Sequence, residues 1–130
     1  MITIDQILAI RTDEEFCKLA LELFRFQAER CAPYREYLSL IGVDPQCVEQ
    51  LDDIPFLPIE LFKSHDIYCH DSAPEIIFTS SNTGQTTPSR HMMQSVETYR
   101  KAFTASFEEF YGNIERWSIY GLLPNYLERE

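Results

Sequence analysis

Phe78-Thr79-Ser80-Ser81-Asn82-Thr83-Gly84-Gln85-Thr86-Thr87-Pro88-Ser89-Arg90-His91 decides how the rest of the chain is read. An apolar, β-prone lead-in (Ile76 to Thr79) runs into a tract of hydroxyls with one glycine, then a basic pair, then a long helical pattern. Strand, small polar loop and helix is the order in which α/β proteins present backbone amides to phosphate. Serine and threonine add hydroxyl donors, Gly84 permits close backbone approach, and Arg90 can grip phosphate oxygens as a fork. The Gly-Lys-Ser/Thr ending of a Walker loop is missing. The plainer reading is a solvated connection, which is what most Ser/Thr-rich tracts between regular elements are.

Working outward toward the N-terminus, Ile67-Tyr68 and Ile76-Ile77-Phe78 read as strands separated by a polar turn with Asp71, Ser72 and Pro74. Pro55 and Pro58 hold Asp53 to Leu57 extended, because each biases its predecessor away from the helical region. Pro58 can then start a short helix over Ile59 to Lys63, with Lys63 either a phosphate contact or simply an exposed lysine. Further back the chain is helical. Thr3 can cap a first helix with Asp5 in its first turn, and Thr12-Asp13-Glu14-Glu15 is a capping box. From that box the spacing predicts a helix burying Phe16, Leu19, Ala20, Leu23, Phe24 and Gln27. Pro33 sits in the first turn of a third helix through Ile41, ended by Gly42, and Pro45 opens a helical turn from Gln46 to Gln50.

On the other side of the loop, Met92 and Met93 read as extended and partly buried. Ser95 caps a helix whose apolar face is Val96, Tyr99, Phe103, Phe107 and Phe110, and Gly112 stops it. Lys101, Glu108 and Glu109 fall on its wet face. Trp117 to Tyr120 reads as a strand, Gly121 to Pro124 as a turn, and Asn125 to Glu128 as a helical start. These elements imply a mixed α/β (α+β) chain with a single domain over 1–130, helical over 1–50 and α/β over 51–130, the loop occupying 78–91.

With 130 residues, 45% of them hydrophobic and 25% charged, the chain has the composition of an ordinary globular domain with a modest core. A net charge of −10 argues against nucleic acid or an anionic membrane surface as partner, since both need clustered Lys and Arg. No apolar run reaches spanning length and Met1 to Asp5 has no signal-peptide character, so a cytoplasmic location is the expectation. Cys17, Cys31, Cys47 and Cys69 form no Cys-x-x-Cys pair and read as free thiols. His65, Cys69 and His70 cluster without a convincing fourth ligand, so no metal site is assigned.

Three motifs occur in a telling order. Pro55-Phe56-Leu57-Pro58-Ile59-Glu60-Leu61-Phe62-Lys63-Ser64 precedes the loop, Ser89-Arg90-His91 closes it, and Leu122-Leu123-Pro124-Asn125-Tyr126-Leu127-Glu128-Arg129 follows. The loop resembles the Ser-Ser-Gly-Thr-Thr-Gly signature of adenylate-forming enzymes. Together the motifs resemble the front part of the acyl-protein synthetase family, the fatty-acid-activating component of bacterial luminescence fatty acid reductases. Phenylacetate-CoA ligases are similar over the Leu-Pro stretch and the loop, more distantly.

The resemblance implies the large-domain fold of an adenylate-forming enzyme. It also implies a reaction in which a fatty or other carboxylic acid attacks the α-phosphate of ATP, with Mg2+, to give acyl-AMP. The acyl group then passes to a protein thiol. By the same resemblance, Ser80, Ser81, Thr83, Gly84, Gln85 and Thr86 hold the β- and γ-phosphates, with Arg90 and His91 in support. Asn82 stands where the family's first glycine belongs, and the second is displaced to Gly84 or replaced by Gln85. Asparagine tolerates left-handed backbone angles better than most residues, which would preserve the turn.

Family members continue well beyond the Leu-Pro-x-Tyr-Leu-Glu-Arg motif. The adenine pocket, acidic metal site, acylated cysteine and C-terminal lysine lie in that later part. The expectation is a truncated family member, inactive by itself, in which no catalytic residue is assigned. Its expected partners are a carboxylate substrate, an acyl-carrying or reductase protein, and a second copy meeting exposed apolar surface. The competing class is a non-catalytic interaction or oligomerisation domain with a flexible 80–87 loop and aromatic helices as a dimer face. A hydrolase using Ser80 or Ser81 with His91 lacks the Gly-x-Ser-x-Gly elbow.

Overall fold

The structure, a computed structural model, describes residues 2–80 and 87–122. Its elements are α1 (Ile4–Leu8), α2 (Asp13–Arg30), α3 (Ala32–Leu40), α4 (Leu61–Ser64), β1 (Ile76–Thr79), β2 (Arg90–Met93) and α5 (Val96–Tyr111). Single 3-10 turns lie at Pro45–Cys47, Leu51–Asp53 and Ile114–Arg116.

The helix boundaries follow from local chemistry. The hydroxyl of Thr12 accepts from the amide of Glu15 at 3.2 Å, and the Glu15 carboxylate accepts from the amides of Thr12 (3.2 Å) and Arg11 (2.8 Å). Those two amide donors, Arg11 first, hold the Glu15 carboxyl below its ordinary pKa. A second capping box joins Thr3 and Gln6 at the start of α1. At the end of α3, Gly42 adopts φ +73°, where a side chain would be strained. The amide of Val43 then donates to Leu38 O (2.9 Å) and that of Gly42 to Ser39 O (3.2 Å), the paired closure of a Schellman motif. Ser95 caps α5 through the Thr98 amide, and Gly112 at φ +74° ends it.

The core sits between α2 and α3. Phe24, Ala28, Cys31, Tyr34, Leu38 and Val48 are buried, with Ile54, Leu57 and Ile67 packed against them. Phe24 and Tyr34 meet edge to face at 6.0 Å, a favoured aromatic geometry. Two polar ties fasten the following segment over the helices. The Arg25 guanidinium donates to Val48 O at 2.9 Å, and the Tyr34 hydroxyl donates to Pro55 O at 2.5 Å. Burial pushes the Tyr34 phenol up to about 12.

Several sequence expectations are corrected by this packing. The buried stripe of α2 runs through Phe24 and Ala28, while Phe16 is 49% exposed and Gln27 is exposed. α3 covers one side of a broad apolar stripe and leaves the Phe16–Leu23 side on an open cleft. The turn expected at 46–50 is the three-residue Pro45–Cys47, and the helix expected at 59–63 is Leu61–Ser64. Ile67–Tyr68 and Trp117–Tyr120 form no strand, because among the described residues neither has a ladder partner.

The sheet is a two-stranded antiparallel hairpin, which makes the described part a mixed α+β arrangement. The expected face of α5 is present as a sequence of aromatic contacts, Phe78–Tyr99 (5.2 Å), Tyr99–Phe103 (5.6 Å) and Phe107–Trp117 (6.3 Å). No residue of α5 is buried, however, and Phe103 and Phe110 are 48% and 79% exposed. Among the described residues, no helix is long and apolar enough to cross a membrane.

Candidate functional site

The hairpin sets the geometry of the candidate loop. Ile76, Ile77, Phe78 and Thr79 pair in register with Met93, Met92, His91 and Arg90. The ladder continues one step into the loop, where the Ser80 amide donates to Ser89 O at 3.1 Å. The Ser89 amide returns a bond to the Ser80 hydroxyl at 2.9 Å. Ser80 and Ser89 therefore clamp the two ends of the loop together. Ser80 spends its hydroxyl as an acceptor there, leaving its O–H hydrogen able to donate to an anion. Ser81, Thr83, Gly84, Gln85 and Thr86, the other loop positions expected to hold phosphate, lie outside the described residues.

The loop is closed by β2 before α5 begins, and the methionines expected to be extended, Met92 and Met93, form the second half of that strand. The first turn of α5 is already supplied with acceptors, the Ser95 hydroxyl for Thr98 N (3.1 Å) and the Glu75 carboxylate for Val96 N (2.8 Å). A carboxylate at a helix N-terminus offsets the positive end of the helix dipole. The Val96 amide at the start of α5 is therefore taken by Glu75 and is not open to another anion.

Arg90 and His91 are both held toward the segment that starts with α4. The Arg90 guanidinium contacts the Asp66 carboxylate at 2.6 Å, with the two side chains 46% and 57% exposed. The His91 ring stacks on Phe62 with centroids 5.2 Å apart, and its Nε2 lies 3.0 Å from the Ser89 hydroxyl. The structure therefore brings Ser80, Ser89, Arg90 and His91 to the foot of the hairpin, with Arg90 already occupied by an anion of the chain itself. Lys63 lies exposed in the last turn of α4. Asp66, Phe62 and Glu75 were not visible as site residues in the sequence, because Asp66 acts across 24 positions and Glu75 across 21.

His65, Cys69 and His70 do not converge. His65 Nδ1 lies 2.8 Å from the Ser64 hydroxyl, whereas His70 packs against Tyr68 (5.3 Å) and Phe26 (6.2 Å). Among the described residues, no three His, Cys, Asp or Glu side chains are placed to hold a metal ion. Cys69 sits beside Cys31 at the edge of the core, and burial pushes its thiol up to about 11, with the neighbouring Cys31 adding to the shift. A thiol so raised is a poor nucleophile at neutral pH, which argues for a packing role.

The chain is similar to the long-chain-fatty-acid–luciferin-component ligase of Photorhabdus luminescens, with 37% identity over 67 residues. The similarity spans 51% of this chain and 57% of that protein's length. It supports a distant relationship to that ligase. No family model matches the chain, and no solved structure matches it.

Proposed function

We propose that this chain is the N-terminal portion of an acyl-protein synthetase-like, adenylate-forming ligase whose loop 78–91 binds the phosphates of Mg·ATP. In that reading, Ser80 and its hydroxyl- and amide-bearing neighbours Ser81, Thr83, Gly84, Gln85 and Thr86 hold the β- and γ-phosphates, with Arg90 and His91 alongside. Fixed donors around the departing pyrophosphate lower the barrier because they require no reorganisation as charge builds. A fatty acid or related carboxylate is the substrate, activated to acyl-AMP and passed to a protein thiol, with an acyl-carrying or reductase protein as partner in the cytoplasm. The observation that carries the reading is the similarity to a protein named as a fatty-acid ligase. The Ser80–Ser89 clamp is consistent with a loop whose ends are held for a ligand.

A second reading is a non-catalytic interaction or oligomerisation domain derived from the same stock. The uncovered aromatic face of α5 favours it, since large exposed apolar surface marks association sites. Titration with Mg·ATP, followed by calorimetry or NMR, separates the two. Saturable binding that a Ser80→Ala/Ser81→Ala double variant loses is the expected result. Absence of binding to either protein would overturn the loop reading in favour of the interaction domain.

A further inference from the structure

The open stripe of α5 has a symmetry that a second copy of the same helix matches. Val96, Tyr99, Phe103, Phe107 and Phe110 follow one another at steps of three, four, four and three residues. The steps read the same from either end, with Phe103 at the centre. At about 100° per residue all five fall within roughly 40° of one line along the helix. α1 packs on the opposite side, where Asp5 reaches Lys101 at 3.3 Å. Phe78 and Trp117 touch the stripe through Tyr99 and Phe107, yet no element of the described residues buries it.

A two-fold axis through Phe103 lays a second α5 antiparallel on the first. Phe103 then meets Phe103, Tyr99 meets Phe107 and Val96 meets Phe110, so every apolar residue has an apolar partner. Charge agrees with that direction. Arg100 and Lys101 outweigh Glu97 in the first half of α5, whereas Glu108 and Glu109 stand alone in the second. Antiparallel pairing sets the basic half on the acidic half, with Arg100 and Glu108 on one flank about 3 Å apart along the axis. Parallel pairing would set acid on acid. Arg100 already forks onto Glu97 at 2.9 and 3.0 Å, so this flank contributes direction more than affinity. On the other flank, Ala102 and Ser106 are small enough to let the helices approach. With Tyr111 and Trp117 beside it, the stripe exposes on the order of 600 Å2 per copy, near the ~800 Å2 that a standard interface takes from each partner. We propose that α5 is a self-association face, pairing antiparallel with α5 of a second copy about a two-fold axis at Phe103. The inference rests on the interaction reading above, for which it names the partner and the register.

Sedimentation of the full chain measures the association, and a concentration-dependent dimer is expected. Phe103→Glu brings two carboxylates together at the axis and should weaken the dimer by more than about tenfold. Phe110→Ser, at a residue 79% exposed and so harmless to folding, removes both contacts with Val96 and should weaken it about tenfold. Register is read with a short bis-maleimide in a Cys17→Ser/Cys47→Ser background, which keeps only the buried Cys31 and the poorly nucleophilic Cys69. Phe103→Cys should crosslink to itself. Phe110→Cys should not, since the axis sets its two copies about 21 Å apart, but it should crosslink when mixed with Val96→Cys. A monomer at high concentration overturns the proposal. A dimer that neither Phe103→Glu nor Phe110→Ser weakens overturns this face while keeping the interaction reading, with the second copy on another surface. Crosslinking of Phe110→Cys to itself would mean a parallel pair and overturns the register. Mg·ATP binding by the Phe103→Glu variant tests the phosphate loop separately, so the two readings fail independently.

Discussion

Tyr34→Phe tests how the segment carrying Phe56 and Phe62 is fastened to the helical core. The substitution keeps the ring, with its edge-to-face contact on Phe24 at 6.0 Å, and removes only the hydroxyl that donates to Pro55 O at 2.5 Å. Around pH 8 the lost bond, with a half-buried carbonyl left unpaired, should destabilise the fold by about 1–2 kcal/mol. The sign then changes with pH. Burial raises the Tyr34 phenol from 10.0 to about 12, so its neutral form is favoured by folding. That contribution is fully present below 10.0 and fades as pH rises through about 12. The full gap corresponds to ~3 kcal/mol, of which ~1.4 kcal/mol has gone by about pH 11. The parent protein should therefore be more stable than Tyr34→Phe at pH 8, equal to it around pH 11, and less stable above that. Urea denaturation of both proteins at a series of pH values, followed by circular dichroism, measures the difference directly. A difference that stays constant from around pH 8 to 11.5 would refute the argument that the buried phenol must remain protonated. Equal stability at pH 8 would refute the claim that the hydroxyl fastens Pro55.

Two other perturbations report on the helix start and on the loop. Thr12→Ala removes the hydroxyl that accepts from Glu15 N and should lower stability by ~1 kcal/mol, measured as a shift in the urea midpoint with an unchanged slope. An unaltered midpoint would mean that the Glu15 carboxylate alone secures the first turn. Asp66→Asn takes away the carboxylate that holds Arg90, an exposed pair worth at most ~1 kcal/mol, so Mg·ATP affinity should tighten by up to about fivefold. Weaker nucleotide binding in calorimetry would instead show that Asp66 positions Arg90 rather than competing for it.

The parts of this structure that were legible in the sequence are those decided within one turn of chain. Thr3 with Gln6, Thr12 with Glu15, and Ser95 with Thr98 each complete their hydrogen bonds within three residues, and Gly42 and Gly112 stop helices by their own backbone angles. The β-prone run before the loop and the extended methionines after it were legible as well, but their antiparallel pairing across the loop was not. What escaped depends on partners distant in sequence. An amphipathic stripe more than about 100° wide announces an apolar face without saying which part of it a neighbour covers. On α2 the covered part is Phe24 and Ala28, whereas Phe16, Ala20 and Leu23 face a cleft.

The candidate site divides along the same line. Its residue types were readable, but the state of each group was set by contacts that span the chain. Arg90 was expected as a free fork for phosphate and is met by Asp66, and the N-terminus of α5 is met by Glu75. Both carboxylates occupy positions where an anionic ligand would otherwise be favoured, so under the proposed reading nucleotide binding at this hairpin would be a competition between two anions for Arg90. Because that ion pair is exposed and worth little, the competition is one a polyphosphate can win. At the end of α5, by contrast, displacing Glu75 would expose a helix terminus that the fold has already satisfied. The loop and Arg90, rather than the helix, are therefore where substitutions should change affinity for phosphate.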